Sequence, residues 1–399
     1  MKTVLYRLLR FLPDLLVFIA SVLGQMAALA WLLGSIAKNA GRRWRLAIAG
    51  VAGLSMLASL IAFLLHSQRV SRFFPSWWLS WGTALPVTWA LLTLCWLAGC
   101  AVLTALSAAV SAAAAGSAPG HSPARRRFFQ TAYAALFAGP PAVLGYGVFI
   151  QRHQLSLREH NLEVRDLPAD LDGLRLVQLT DIHLSPFLSR AELERAVDMA
   201  NETRAHIALV TGDLITTNRD PLDNCLDSLA RLRADAGIYG CLGNHEIYAH
   251  AEDYVELQGA RRGMNFLRLA AAPLRFGKAA MNLVGVDYQT LRRPYLIGAD
   301  KLVVPGAFNL LLSHNPDVFP VAARQGYAVT LAGHTHGGQI RVEILNADLN
   351  PGRFYNPYVD GVYRKGPASI FVSRGIGTIA VPARVGAAPE VSLVRLCRI

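Results

Sequence analysis

Acidic side chains are nearly absent from the first 150 residues of this 399-residue chain. That stretch holds a single acid, Asp14, beside 12 of the 39 Lys and Arg residues, so almost all of the net charge of +12 belongs to it. Residues 151–399 carry 27 basic and 26 acidic side chains. Nucleic-acid-binding domains usually present a basic globular face, and the even balance after residue 150 argues against one. The sequence therefore predicts no nucleic-acid partner.

Cysteine is also scarce, with five residues in the whole chain and no Cys-x-x-Cys pair. This spacing supports neither a disulfide framework nor a cysteine metal site. No internal repeat and no long low-complexity tract is present either. Solenoid and fibrous architectures are therefore not expected.

Four apolar stretches fill the first 150 residues, at 11–37, 46–66, 83–115 and 130–150. Each is near or above the about 20 residues that a helix needs to cross a bilayer, and the segments between them are short and basic, as loops between membrane spans are. We expect residues 1–150 to form a bundle of four transmembrane helices in the cell or inner membrane, with the bilayer as a partner. Because intramembrane charge usually marks an ion path and Asp14 is the only acid here, an anchor is favoured over a transporter.

The basic residues give only a slight preference for the side of the membrane on which the two ends of this domain lie. Seven Lys and Arg would lie on each side of the membrane. Arg152 and Arg158 precede a large domain that can translocate regardless of charge. Without them, the balance favours both ends, and hence the following domain, on the extracytoplasmic side.

From about residue 161 the pattern changes to alternating strand-like and helix-like segments, which predicts an α/β sheet core with helices outside. Residues 151–160 are expected to be a polar linker and residues 161–399 a separate domain. Each of five predicted strands is followed directly by side chains that can bind metal, where α/β sheets place their ligand sites. These five groups are Asp181-Ile182-His183, Gly212-Asp213, Gly243-Asn244-His245-Glu246, His314-Asn315-Pro316 and Gly333-His334-Thr335-His336.

Each group alone could be a turn or a helix cap, but turn chemistry does not explain all five in succession at strand ends. Residues two apart on extended backbone point to the same side, so His334 and His336 are expected to project together. Carboxylate, amide and imidazole donors together suit Mn²⁺, Fe or Zn²⁺ better than Mg²⁺ or Ca²⁺. The sequence predicts a metal site built from the five loops.

These groups resemble the sequence blocks of the calcineurin-like metallophosphoesterase superfamily over residues 161–399. The extended forms at 243–248, 333–340 and 372–378 are similar to its membrane-associated branch, which includes a multi-span transmembrane protein with a metallophosphoesterase domain. The resemblance implies a four-layer α/β/β/α sandwich and two divalent metal ions. It implies that the first metal is held by Asp181, His183 and His336, the second by Asn244, His314 and His334, and that Asp213 bridges them.

The activity that this resemblance implies is phosphoester hydrolysis by in-line attack of a metal-bridging hydroxide, with His245 acting on the leaving group. A phosphodiesterase or pyrophosphatase with a lipid-linked or nucleotide-lipid substrate is expected from the membrane-associated branch. The chain departs from the wider superfamily at Thr216, where an Asp is usual, and Glu246 agrees with the membrane-associated branch. No motif identifies substrate-binding residues; Arg261-Arg262 and Arg292-Arg293 could contact phosphate or simply face solvent.

A second function remains open, a non-enzymatic membrane sensor or scaffold that keeps the metal-binding fold. Such a protein would normally have lost a metal ligand or the residue equivalent to His245. None is missing from this sequence. The hydrolase is therefore the favoured interpretation.

Overall fold

The computed structural model describes residues 75–113, 123–289, 295–344 and 347–399, together with short runs and single residues between 19 and 61. By its internal contacts the chain divides into two units, residues 1–146 and 147–399. The five cysteines are all free, in agreement with the absence of paired cysteine motifs.

Two long helices precede the sheet-containing part, α1 (Ser76–Ala113) and α2 (Pro123–Phe149). The segments Trp77–Ala112 and Pro123–His153 are long and apolar enough to cross a membrane. They correspond to the predicted spans at 83–115 and 130–150. The other two predicted spans, 11–37 and 46–66, lie partly outside the described residues. Within the described part, two apolar helices therefore stand where the sequence predicts a bundle of four.

The first sheet of the second unit has six strands in the order β1-β14-β2-β3-β4-β5. Their bounds are β1 (Ser156–Val164), β2 (Arg175–Leu179), β3 (Ile207–Thr211), β4 (Ile238–Cys241), β5 (Met264–Phe266) and β14 (Glu390–Arg398). The helices that follow its strands are α3 (Arg190–Glu202), α4 (Leu222–Leu229), α5 (Asn244–Ala249) and α6 (Glu252–Arg261). Helix α3 begins with a reciprocal capping box formed by Ser189 and Glu192.

The second sheet also has six strands, in the order β12-β13-β9-β8-β7-β6. Helix α7 (Phe319–Gln325) follows β8, and β10 and β11 form a separate hairpin. The strand bounds are β6 (Ala270–Phe276), β7 (Ala279–Val286), β8 (Phe308–Ser313), β9 (Val329–Ala332), β10 (Val342–Ile344), β11 (Ala347–Leu349), β12 (Gly361–Lys365) and β13 (Ala368–Val372).

The two sheets pack face to face with helices on their outer faces. Alternate residues of a strand point to opposite faces, so Leu209 packs in the core between the sheets with Leu310 and Leu331. Its neighbour Val210 faces the helices, in a cluster that includes Leu226. Because β3 is covered on both faces, all five of its residues are buried. The observed order of helix, sheet, sheet and helix matches the predicted sandwich.

The structure corrects the prediction that residues 151–160 form a polar linker. Residues Gln151–His153 form a 3₁₀ turn and Ser156 already begins β1, which pairs in parallel with β14 along its whole length. This strand escapes prediction because it lies at the edge of its sheet and is largely exposed, so it carries the charged residues that protect sheet edges. Edge strand β6 escapes for the same reason and contains Pro273.

Strands β2, β3 and β4 run parallel in one sheet, and β7, β8 and β9 run parallel in the other. The loops after β2, β3, β4, β8 and β9 are the five groups of potential ligands that the sequence indicates. Parallel strands place their carboxyl ends at one edge, where α/β sheets bind ligands. The fold thereby gathers five loops that are far apart in sequence.

Candidate metal centre

Three of the predicted ligands form a buried cluster after β2 and β9. His183 Nε2 lies 3.2 Å from His336 Nε2, and His336 Nε2 lies 3.3 Å from Asp181 Oδ1. All three side chains are buried, and their donor atoms converge closely enough to hold one ion. They are the three residues that the resemblance assigns to a first metal.

A second cluster lies beside the first and shares a carboxylate with it. Asp213 Oδ2 lies 3.1 Å from His314 Nε2 and 3.5 Å from His183 Nε2, so it contacts one imidazole from each predicted half-site. His334 Nδ1 lies 3.2 Å from His314 Nε2. The structure thus brings Asp213 between the two sets of imidazoles, which is the position that a bridging ligand requires.

Asn244 supplies an independent test of whether the cluster suits metal ions. Its Oδ1 atom is buried, and among the described residues it has no hydrogen-bond partner. Leaving a buried polar atom unsatisfied costs about 1–3 kcal/mol, and native structures rarely do so without reason. An amide oxygen is a good donor to a divalent cation, so the residues present fit a metal at this position.

The electrostatics of the cluster also suit a cation. Burial lowers the pKa of His183 and of His334 to about 3, so both imidazoles are neutral and have a lone pair to donate. Burial opposes ionisation of Asp213, but His314, His245 and His183 outweigh it and hold the pKa of its carboxyl well below the ordinary value. Burial likewise disfavours a charged His314, yet Asp213 raises its pKa to about 10. Asp213 is therefore ionised at neutral pH, and its negative charge attracts a cation.

The backbone at these ligands differs from the extended geometry that the sequence suggested. Asp181, His183, Asp213, His334 and His336 all have φ between 47° and 74°, a left-handed conformation that is uncommon for residues other than glycine and clusters at functional sites. Strand β9 ends at Ala332, so the expectation that strand alternation aligns His334 with His336 is wrong. Left-handed turns after the strands aim these side chains instead.

Backbone and hydroxyl groups orient the imidazoles. His314 Nδ1 donates to the Thr211 carbonyl at 2.7 Å, which leaves Nε2 as its ligand atom. Thr216, which stands where the wider superfamily has Asp, contacts two histidines: its Oγ1 is 3.2 Å from His183 Nδ1, and its carbonyl accepts from His245 Nδ1 at 2.7 Å. The departure at Thr216 therefore leaves both rings with a partner.

Glu246 holds Asp213 in place, a role that the sequence did not indicate. One carboxylate oxygen of Glu246 accepts from the backbone N–H groups of Asp213 and Gly243 at 2.9 and 2.8 Å, and the other accepts from Leu214 at 2.7 Å. Asp213 Oδ1 in turn accepts from the backbone N–H of His245. This buried network connects the loops after β3 and β4, which carry the bridging carboxylate and Asn244.

Arg384 likewise holds loops together next to His336. Its side chain is fully buried and donates to the carbonyls of His336, Arg374, Gly377 and Ala387. Burial lowers the pKa of Arg384 to about 10, so the guanidinium stays charged at neutral pH. No motif in the sequence marks this residue, because its partners are carbonyl groups of loops that meet only in the fold.

The segment 372–378 supports Asp181 by close packing. Gly377 N–H donates to the Asp181 carbonyl at 2.7 Å, and Ile376 N–H donates to the Thr180 carbonyl at 3.1 Å. Gly375 has φ of 67°, and a methyl group there would lie 2.5 Å from Asp181 Cβ. Glycine at position 375 is thus required by conformation and by space.

We expect Gly375→Ala to destabilise the protein and to displace Asp181. Forcing a methyl group into a packed site typically costs about 1–3 kcal/mol. Gly366→Ala is a matched control, because Gly366 has a φ of 60° but nothing within 4 Å of its added methyl group. Denaturant unfolding should show a larger loss for position 375, and bound-metal analysis should show a loss at that position alone. Equal losses for the two variants would contradict this packing role.

The structure places one arginine of the two pairs that could contact phosphate, and one further aromatic residue. Arg262 pairs with Asp223 and Asp227 on the helices outside the first sheet, so it has a structural partner and does not contact the metal cluster. Arg292-Arg293 lie outside the described residues. Tyr288, which the sequence did not single out, has its ring 5.4 Å from that of His334.

The fold and the convergent donors define the class: an α/β sandwich with a buried carboxylate, amide and imidazole cluster suited to divalent metal. Residues 174–338 match the family model described as calcineurin-like phosphoesterase. That range includes all seven predicted metal ligands and His245. The second unit of the chain is therefore similar to the calcineurin-like metallophosphoesterases, a family of phosphoester hydrolases that use divalent metals.

Several curated relatives are similar to the chain. The uncharacterized metallophosphoesterase YkuE of Bacillus subtilis is 27% identical over 280 residues, which cover 68% of this chain and 97% of that protein. A transmembrane protein with metallophosphoesterase domain from Danio rerio is 29% identical over 287 residues, covering 67% of this chain and 63% of that protein. Among solved structures, the phosphopantetheinyl hydrolase PptH of Mycobacterium tuberculosis has a TM-score of 0.34 at 11% identity, covering 52% of this chain and 91% of that one.

Proposed function

We propose that this chain is a membrane-anchored phosphoesterase that depends on two metal ions. The observation that carries the proposal is the shared position of Asp213, within 3.5 Å of an imidazole from each half-site. One buried carboxylate shared by two groups of donor side chains is the arrangement that two neighbouring cations need. The unsatisfied Asn244 Oδ1 beside it supports the same conclusion.

In this proposal the first ion is held by Asp181, His183 and His336, and the second by Asn244, His314 and His334. Asp213 contributes to both. Mn²⁺, Fe or Zn²⁺ fits this mixture of donors. When bound, two such ions supply an activated water nucleophile and stabilise the charge that develops on the phosphoryl group.

The chain's own contribution to departure of the leaving group comes from His245. Its Nδ1 atom donates to the Thr216 carbonyl at 2.7 Å, so Nε2 is the nitrogen available to deliver a proton. Its backbone N–H is bonded to Asp213, and its ring lies edge-on to His183 with centroids 4.7 Å apart. These contacts hold His245 beside the metal cluster in one orientation, as general acid catalysis requires.

The substrate class follows from how the chain is connected. The apolar helix α2 ends at Phe149 and the first strand of the sandwich begins at Ser156, so a short connection joins the proposed anchor to the phosphoesterase. The Danio rerio relative, named as a transmembrane protein with metallophosphoesterase domain, supports this arrangement. We infer a phosphodiester or pyrophosphate substrate that is lipid-linked, such as a nucleotide-lipid phosphate, and an extracytoplasmic location for the unit.

Metal removal tests the reaction. The full chain, purified in detergent, is expected to contain two divalent ions and to hydrolyse a generic phosphodiester faster than a phosphomonoester. A chelator should abolish the hydrolysis, and Mn²⁺, Fe²⁺ or Zn²⁺, added separately, should identify the ion that restores it. Metal content by mass spectrometry provides the parallel measurement. Two bound ions without hydrolysis of either ester would instead favour a sensor or scaffold.

A further inference from the structure

The turn that spans residues 350–356, here called the aromatic turn, exposes two adjacent aromatic side chains. Phe354 and Tyr355 are each 91% exposed, the highest value among the large apolar side chains of the described residues. Single exposed apolar residues are common and need no explanation. A neighbouring pair of almost fully exposed aromatic rings is unusual, because aromatic side chains are among the most favourable to bury.

The aromatic turn is held in one conformation by its own hydrogen bonds. Asn350 is buried, and its Oδ1 atom accepts from Gly352 N–H at 3.0 Å. The N–H groups of Tyr355 and Asn356 both donate to the Gly352 carbonyl, at 3.1 and 2.9 Å. The two rings are therefore presented outward by an ordered 3₁₀ turn, Pro351–Phe354.

The same turn is joined to the loop that carries two of the predicted metal ligands. Asn350 Nδ2 donates to the Gly337 carbonyl at 3.3 Å, next to His336. A methyl group on Gly338 would lie 1.9 Å from Asn350 Oδ1, so glycine there allows the two loops to touch. Further along, the Thr335 hydroxyl donates to the Val359 carbonyl. Phe354 and Tyr355 thus stand at a constant position relative to the metal cluster.

We propose that the aromatic turn docks on the surface of a lipid bilayer. Two aromatic side chains offer at most about 500 Å², which is less than the about 800 Å² that each partner buries in a stable protein complex. A bilayer requires no such complementary surface. Aromatic rings beside a basic residue are the usual composition of segments that lie at the membrane interface, and the exposed Arg353 precedes Phe354.

This inference rests on the membrane anchoring in the proposed function, not on the reaction. Among the described residues, two apolar segments of 36 and 31 residues are long enough to span a bilayer, so the second unit would remain near a membrane. Insertion of Phe354 and Tyr355 would hold the adjacent metal cluster at the level of the lipid headgroups. A lipid-linked phosphate could then reach the cluster without leaving the bilayer.

Photo-crosslinking tests the docking surface. The full chain would be reconstituted in vesicles of phosphatidylethanolamine and phosphatidylglycerol, with p-benzoylphenylalanine replacing Phe354. Leu257, which is 52% exposed on α6, is the matched control position. We expect lipid adducts by mass spectrometry from position 354 and about tenfold fewer from position 257, since a bilayer contact worth about 1.4 kcal/mol already gives that ratio. Equal labelling at both positions, or adducts with protein in place of lipid, would overturn the proposal.

A double variant separates this surface from the catalytic site. Phe354→Ser with Tyr355→Ser should keep its metals and its hydrolysis of a soluble diester, because both side chains are exposed and lie outside the proposed ligand set. With p-benzoylphenylalanine replacing Arg353, a chain that keeps Phe354 and Tyr355 should form lipid adducts. The double variant with the same probe should not form them. Retained adducts would overturn the proposal, as would release of the unchanged chain from vesicles by alkaline carbonate. Lipid adducts in a chain that hydrolyses no ester would sustain the docking surface while contradicting the reaction.

Discussion

Replacing Asp213 with Asn is expected to remove both metal ions and to lower turnover by more than about 100-fold, since even residues that only orient a metal ligand typically contribute 10–100-fold. Asp213 contacts His314 and His183 with the same oxygen, so its loss affects both half-sites at once. The amide has nearly the same shape and can still accept from the backbone N–H of His245. The fold should therefore persist.

Asp227→Asn is the matched control for this experiment. Asp227 is half exposed and pairs with Arg262 on the outer helices, so its change should leave metal content and hydrolysis unaltered. Metal content by mass spectrometry and turnover of a soluble diester are the two measurements. If Asp213→Asn retained two ions, the bridging role of this carboxylate would be wrong.

Replacing His245 with Ala is expected to lower turnover by about 10²–10⁴-fold while both ions remain bound, the range that general acid help usually supplies. The His245 ring bonds to the Thr216 carbonyl, and Asp213 accepts only from the His245 backbone N–H, so no proposed ligand loses a hydrogen bond when the ring is removed. The deficit should be larger for an alkyl diester than for a nitrophenyl diester, because the poorer leaving group needs the proton more.

His153→Ala is the control for His245, since His153 is exposed and pairs with Glu192 at 2.7 Å. Its metal content and turnover should match those of the unchanged chain. Loss of metal from His245→Ala would assign the ring to the metal centre, and an equal deficit for both diesters would remove its role in leaving-group departure.

The metal centre was largely predictable because its ligands follow strands directly in the sequence. Strand β9 ends at Ala332, and His334 and His336 follow it directly, as the sequence order indicates. What could not be predicted is how those side chains are aimed. Strand alternation suggested one face, whereas the structure uses left-handed turns at five of the ligands, a conformation that no local sequence pattern other than glycine indicates.

The residues that support the ligands were the least predictable. Glu246 accepts from N–H groups of two separate loops, and Arg384 donates to carbonyls that are up to 48 residues away in sequence. Such contacts leave no periodicity or spacing by which to find them. The polar edge strand β1 was missed for a related reason, since its pairing with β14 joins residues 156–164 to the end of the chain.

The sequence by itself determined the apolar and charged asymmetry of the chain, the alternation of strands and helices after residue 161, and the identity of the side chains that follow five of the strands. These are local properties, set by composition and by the order of residues. The tertiary structure alone decided that Asp213 lies between two groups of imidazoles and that Phe354 and Tyr355 stand exposed on a turn joined to the loop that carries His336. Both arrangements depend on long-range packing of loops, which only the folded sandwich brings into contact.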